Sequence, residues 1–147
     1  MQIDKNDAAI LNELVENARI SFNKLAKRAK LATGTVIKRV QAMEQAGVIR
    51  KYSAIFDYQK MGYEFEAIVA VKVSKGKLFE VERKIAVNPN VCAVYDVTGP
   101  WDVVVLVRHR NRQAFDEFIK KVQTYDFIER TETQIILNTL KEEQVKF

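Results

Sequence analysis

A chain of 147 residues, 48% hydrophobic and 29% charged, is long enough to bury a core and too apolar to remain disordered. Its single cysteine, Cys92, and single histidine, His109, exclude an internal disulfide and a cysteine–histidine zinc site, and no catalytic or cofactor-binding constellation emerges. The longest apolar runs, such as Val103–Val107, are far too short to span a bilayer, and MQIDKND at the N-terminus lacks the apolar core of a signal peptide, so a soluble, cytoplasmic protein is expected.

The net charge of +5 is unevenly placed. Residues 1–51 hold ten bases and five acids, whereas residues 52–147 hold fourteen of each. Within Arg19–Lys51, nine bases stand against one acid, Glu44. A strongly basic segment beside a neutral remainder is the footprint of a nucleic-acid module joined to a domain with another task.

The first predicted element is a helix from Asp4 to about Asn17, with Asp4 and Asp7 in a weak capping pattern and Ile10, Leu11, Leu14 and Val15 as its apolar stripe. A second helix, Phe22–Ala29, has Ser21 as its N-cap, and a third opens at Thr33, runs to about Gln45 and stops at Gly47. Val36, Val40 and Met43 share the buried face of the third helix, where Leu25, Ala26, Ala29 and Leu31 can pack. Thr33, Gly34, Thr35, Ile37, Lys38 and Gln41 are left outward. Shape alone fits either an ordinary amphipathic pair or a helix-turn-helix with its reading helix in the major groove; the local charge decides for double-stranded DNA. Lys24, Lys27, Arg28, Lys38, Arg39 and Arg50 are candidates to neutralise phosphates, although any one of them can equally be a solvated surface charge. Thr35, Ile37, Lys38 and Gln41 are candidates to touch base edges, with Thr33 and Gly34 beside them. Gln41 suits adenine and Ile37 a thymine methyl, the plain alternative for Ile37 being a contact with the domain's own surface.

Val48–Asp57 reads as an extended connection, followed by a turn at Lys60–Tyr63. Beyond it come a strand at Phe65–Ser74, a helix at Lys77–Val87, strands at Val91–Thr98 and Asp102–His109 joined by a Gly99–Pro100 turn, a helix at Asn111–Tyr125 and a strand at Ile128–Thr139. Cys92, flanked by Val91, Ala93 and Val94, is expected to be a small buried residue. The order β-α-β-β-α-β is the ferredoxin-like split arrangement, one antiparallel sheet with both helices on one face. The other face also carries apolar residues, so it is expected to meet a second copy of the chain. The class is therefore α+β, with a helix-turn-helix DNA-binding domain at residues 1–51, a connecting segment at 52–63 and a ferredoxin-like oligomerisation domain at 64–147, the domain to which a family resemblance adds effector binding.

Two stretches together resemble the Lrp/AsnC, or feast/famine, family of transcription regulators. The first is Asp4, Ile10, Leu11, Leu14, Arg19 and Leu25 followed by TVIKRVQAMEQAGVIRKY at Thr35–Tyr52; the second is the helix Leu78–Val87, Val94, TGPWD at Thr98–Asp102 and TETQIIL at Thr131–Leu137. The resemblance implies a winged-type helix-turn-helix, homodimers assembled into tetramers or octamers, and an amino acid or related small effector bound near the second hairpin where dimers meet. It makes Thr98, Gly99, Pro100, Trp101 and Asp102 candidate effector residues, with Thr131 and Thr133 as weaker ones. Gly99 lets a backbone approach a ligand, and Asp102 either meets an ammonium group or fixes the loop. Three departures stand out. Gly34 replaces a residue that is commonly Ser, Lys30 stands where Gly is usual, and Pro100–Trp101 replace a polar residue and Tyr. Two rivals share parts of this pattern: a haem-biosynthesis decarboxylase of similar architecture, and an architectural DNA-binding protein of low sequence preference. The decarboxylase needs basic and histidine groups around a macrocycle, whereas the second half of this chain is neutral with His109 alone.

Overall fold

The computed structural model describes residues 1–147. The chain forms two compact units, one of Met1–Phe56 with the tail Lys141–Phe147, the other of Asp57–Leu140. No helix is long and apolar enough to cross a membrane.

The first unit holds α1 (Lys5–Glu16), α2 (Phe22–Ala29) and α3 (Thr33–Gln45). Helix α1 starts where it does because Asp4 and Asp7 form a capping box: the Asp4 carboxylate accepts the Asn6 and Asp7 amides at 2.8 and 2.9 Å, and Asp7 accepts the Asp4 amide at 3.1 Å. Ser21 accepts the Lys24 amide at the start of α2. Ile10, Leu11, Leu25, Ala26, Val36, Val40 and Met43 close a small core between the three helices. The tail returns to α1. The Asn12 side chain exchanges two 2.8 Å hydrogen bonds with the Phe147 backbone, and Lys146 pairs with Glu16.

The second unit holds β1 (Phe65–Val73), α4 (Leu78–Ala86), β2 (Val91–Asp96), β3 (Val103–His109), α5 (Arg112–Gln123) and β4 (Ile128–Ile135). The strands form one antiparallel sheet in the order β2-β3-β1-β4, which is the ferredoxin-like arrangement. The odd positions of β1, Ala67, Val69, Val71 and Val73, pack with Val103, Val105 and Val107 against Val81, Ile85, Phe115, Phe118 and Val122 of the two helices. The opposite face presents Ile68, Val104 and Leu106, each only half-buried.

Two expectations need correction. Cys92 is exposed, because the β2–β3 register shifts between Val91 and Ala93 and this irregularity breaks the two-residue alternation that would have turned the thiol inward. Strand β4 ends at Ile135, four residues early: β1 starts at Phe65, so beyond the Ile136 amide, which reaches the Glu66 carbonyl, only one residue of the partner strand is left, and Leu137 is 92% exposed.

The turn between α2 and α3 is made by Lys30 in the left-handed region, at φ 56° and ψ 43°. Its amide donates back to the last turn of α2, and the Leu31 amide reaches the Ala26 carbonyl at 2.9 Å. A residue with a Cβ is strained there by about 1–2 kcal/mol, part of which the greater unfolded-state freedom of glycine offsets. Lys30→Gly is expected to raise the stability of the first unit by about 0.5–1 kcal/mol, read from a urea unfolding midpoint.

Candidate nucleic-acid interface and effector hairpin

Helix α3 buries Val36, Val40 and Met43 and turns Gly34, Thr35, Lys38 and Gln41 to solvent, while Thr33 and Ile37 sit half-buried at the edge. Its N-cap, Ala32, supplies no side-chain bond, and a Cβ added at Gly34 would meet nothing within 4 Å. Thr33 donates to Asn23 of α2 at 3.3 Å, which ties the start of α3 to the preceding helix. At the far end Tyr52 donates to Glu44 at 2.7 Å; burial and this carboxylate push the phenol up to about 12.

The basic candidates divide into two groups. Lys24, Lys27, Lys38 and Arg50 are exposed. Arg28 is bound to Glu13 of α1 at 2.9 Å, and Arg39 to both Asp4 and Asp7 at 2.8 Å. Arg28 and Arg39, read as phosphate candidates, thus each direct Nη1 toward acids of α1 or its N-cap, which Lys24, Lys27, Lys38 and Arg50 do not. At helical spacing Arg39 lies beside Val36, Val40 and Met43, on the flank of the buried stripe.

In the second unit the hairpin between β2 and β3 is held by Asp102. Its carboxylate accepts the Val73 amide at 2.8 Å and the Lys72 ammonium at 2.9 Å, its amide donates to the Val71 carbonyl, and its carbonyl accepts the Val97 amide. The Val73 bond first, and Lys72 second, hold the carboxyl below its ordinary value. Of the two roles read for Asp102, the structure displays the loop-fixing one. Gly99 has φ 118° with open space where a Cβ would stand, and Thr98 and Pro100 are exposed beside it. Trp101 is half-buried with the Arg130 guanidinium 4.5 Å from its ring centroid. Thr131, opposite Val71, accepts a bond from Gln123 at 3.1 Å, and Thr133 lies two residues further along β4, opposite Val69.

Lys72 and Arg130 were not among the sequence candidates, yet they face each other across β1 and β4 at this end of the sheet. The one available signal was a lysine inside a run of valines. A second feature also escaped: a polar cleft of about 100 Å³ at the other end of β1, where Arg108 pairs with Glu66 at 2.6 Å and lies 4.4 Å from the Tyr58 ring centroid.

A small three-helix unit with a polar, basic reading face, followed by a ferredoxin-like unit, defines a transcription regulator that couples a DNA-binding helix-turn-helix to a ligand-binding domain. Residues 3–50 match the winged helix-turn-helix DNA-binding domain, and residues 66–145 match the Lrp/AsnC ligand binding domain. The chain belongs to the Lrp/AsnC family. It is 38% identical to an uncharacterised HTH-type transcriptional regulator of Pyrococcus furiosus over 97% of each chain. Among solved structures it is similar to E. coli AsnC, with a TM-score of 0.91 at 29% identity over 99% of each chain. It is also similar to a feast or famine regulatory protein of M. tuberculosis complexed with L-methionine, with a TM-score of 0.87 at 28% identity over 98% of each chain.

The decarboxylase alternative rested on similar architecture and needs histidine groups around a macrocycle; the one histidine, His109, ends β3. Its imidazole is 2% exposed, packed against Phe115 and Phe118, and neither ring nitrogen has a hydrogen-bond partner. Burial lowers its pKa below the ordinary 6.5. Below about pH 6.5 the unfolded chain therefore takes up this proton before the folded one does, and stability falls with a slope of at most about 1.4 kcal/mol per pH unit. His109→Leu is expected to flatten the pH dependence of the unfolding free energy below that point, as measured by urea titrations at stepped pH.

Proposed function

We propose that α3 reads base edges in the major groove while α2 and the segment after α3 hold the DNA backbone. The observation that carries this reading is the exposed face of α3, where Gly34, Thr35, Lys38 and Gln41 lie opposite the buried Val36, Val40 and Met43 within the chain's only strongly basic segment. Lys24, Lys27, Lys38 and Arg50 neutralise phosphates, and Thr35 and Gln41 meet bases, with Ile37 at the margin. The open site at Gly34 allows the backbone to come close to the DNA.

The ligand-binding half takes an amino acid or a related small effector at the hairpin Thr98–Asp102. The M. tuberculosis relative bound to L-methionine supports this class of ligand. Asp102 already holds Lys72, so an effector ammonium exchanges with that lysine, while Lys72 and Arg130 suit the effector carboxylate. The half-buried Ile68, Val104 and Leu106 on the uncovered sheet face support a homodimer built through this unit, with dimers joining into tetramers or octamers. Thr131 and Thr133 remain secondary members of the site.

Selection of bound fragments from random DNA, with and without amino acids, tests the regulator reading. On the selected fragment, Gln41→Ala is expected to lose about 1–3 kcal/mol with little change on random DNA, and Lys38→Ala to weaken both alike while reducing the salt slope by about 1. Equal losses on both DNAs for Gln41→Ala would remove it from the base-reading set.

Trp101 is the only indole in the chain and stands beside the hairpin. Titrating L-methionine and the other standard amino acids is expected to change its fluorescence and the sedimentation coefficient together. Silence in both signals at millimolar ligand rejects the effector site.

A further inference from the structure

We propose that Arg39 is a positioning residue for DNA reading, which acts through Asp4 and Asp7 of α1 and touches no phosphate. The inference rests on the reading of α3 as the helix that enters the groove. Its foundation is how the two carboxylates share their oxygens. Asp4 uses Oδ1 for the amides of Asn6 and Asp7 and Oδ2 for Arg39, while Asp7 uses Oδ2 for the Asp4 amide and Oδ1 for Arg39. One nitrogen, Nη1 of Arg39, reaches both acids at 2.8 Å. The bonds that define the first turn of α1 and the bonds that hold α3 therefore belong to one cluster. The Asp7 side chain is 3% exposed and cannot trade Arg39 for water without leaving a carboxylate buried and short of a partner.

The core between these helices does not fix α3 by shape alone. The core holds α3 through Val36, Val40 and Met43 along one stripe, packed on Ile10, Leu11, Leu25 and Ala26, and these apolar contacts carry no directional bond. A helix with side chains has a radius of roughly 5–6 Å, so a turn of about 20° about its axis carries an outward tip such as Gln41 through about 2 Å. Hydrogen bonds to base edges tolerate only about 0.5 Å. The guanidinium on the flank of α3, held from two directions by α1, supplies the missing constraint on rotation.

The test separates a positioning role from a phosphate contact by sign. Removing an acid from a DNA-binding surface should tighten binding to all DNA by charge alone. Positioning predicts the reverse on the selected fragment: Asp4→Asn and Asp7→Asn lose affinity for it by about ten- to a hundred-fold, the loss of one misread base pair or more, while random DNA is bound as well as before or slightly more tightly. Asn is itself a good N-cap, so Asp4→Asn keeps the helix start while weakening the hold on Arg39. Arg39→Lys keeps the charge but ends one bond short of the position of Nη1 and lacks the planar fork, so it holds the two carboxylates less firmly; it should lose preference for the selected fragment with an unchanged salt slope. Circular dichroism melts establish that each variant is folded, and if Asp7→Asn is not, Asp4→Asn and Arg39→Lys carry the comparison. Arg39→Lys binding like wild type, Asp4→Asn binding all DNA more tightly, or a salt slope reduced by about 1 in Arg39→Ala would each overturn the proposal. Wild-type protein is the control on the same fragments. A wild type without preference refutes the reading of α3 and the clasp with it, whereas a wild-type preference that survives in the variants refutes the clasp alone.

Discussion

Strand β1 is bonded on both edges and covered on one face, and the second unit is built around that constraint. Its two-residue alternation places Ala67, Val69, Val71 and Val73 under the helices, and the register with β3 and β4 follows from it. A slip by one residue would bring Glu66 and Lys72 beneath α4 and α5, which burial of charge forbids. The same strand delivers Lys72 to Asp102 and Glu66 to Arg108, so the β2–β3 hairpin and the polar cleft are set by one pleat at its two ends. The hairpin keeps its place because it hangs on a strand whose register is fixed from both sides.

The first unit obeys a different economy. Seven buried apolar residues are few, and a module of that size gains little stability from burial alone. Polar links at the helix ends compensate: the capping box of α1, the Ser21 cap, the Thr33–Asn23 bond and the ion pairs of Arg28 and Arg39. The ion pairs among these links join α1 to both helices of the helix-turn-helix, so the pair is tied to a helix outside it.

The elements that the sequence made plain are those with local causes. Helices α2 and α3 stand at the residues expected because Ser21 and Gly47 act on the chain beside them. The buried face of α3, with Val36, Val40 and Met43, was legible for the same reason. What escaped depends on contacts distant in sequence. Nothing near Cys92 signals that β2 changes register beside it, and nothing near Ile135 signals that β1 begins only two residues beyond its partner Ala67. Arg39 looks like Lys38 in the sequence; only folding brings it to carboxylates 32 and 35 positions away. Asp102 likewise looks like a turn residue until the Val73 amide and Lys72 arrive from β1.

The chain passes between the two units twice, first near Phe56 and again near Lys141. The first passage runs through exposed residues outside any helix or strand, with Ile55 82% and Phe56 54% exposed, a ready substrate for a protease that favours apolar side chains. A nick there would break the backbone without freeing the first unit. Its last strap, Lys141–Phe147, belongs to the other fragment, and it stays seated on α1 through Asn12 and Glu16. The nicked chain would keep its first unit in two pieces, so a clean division of this chain takes two cuts.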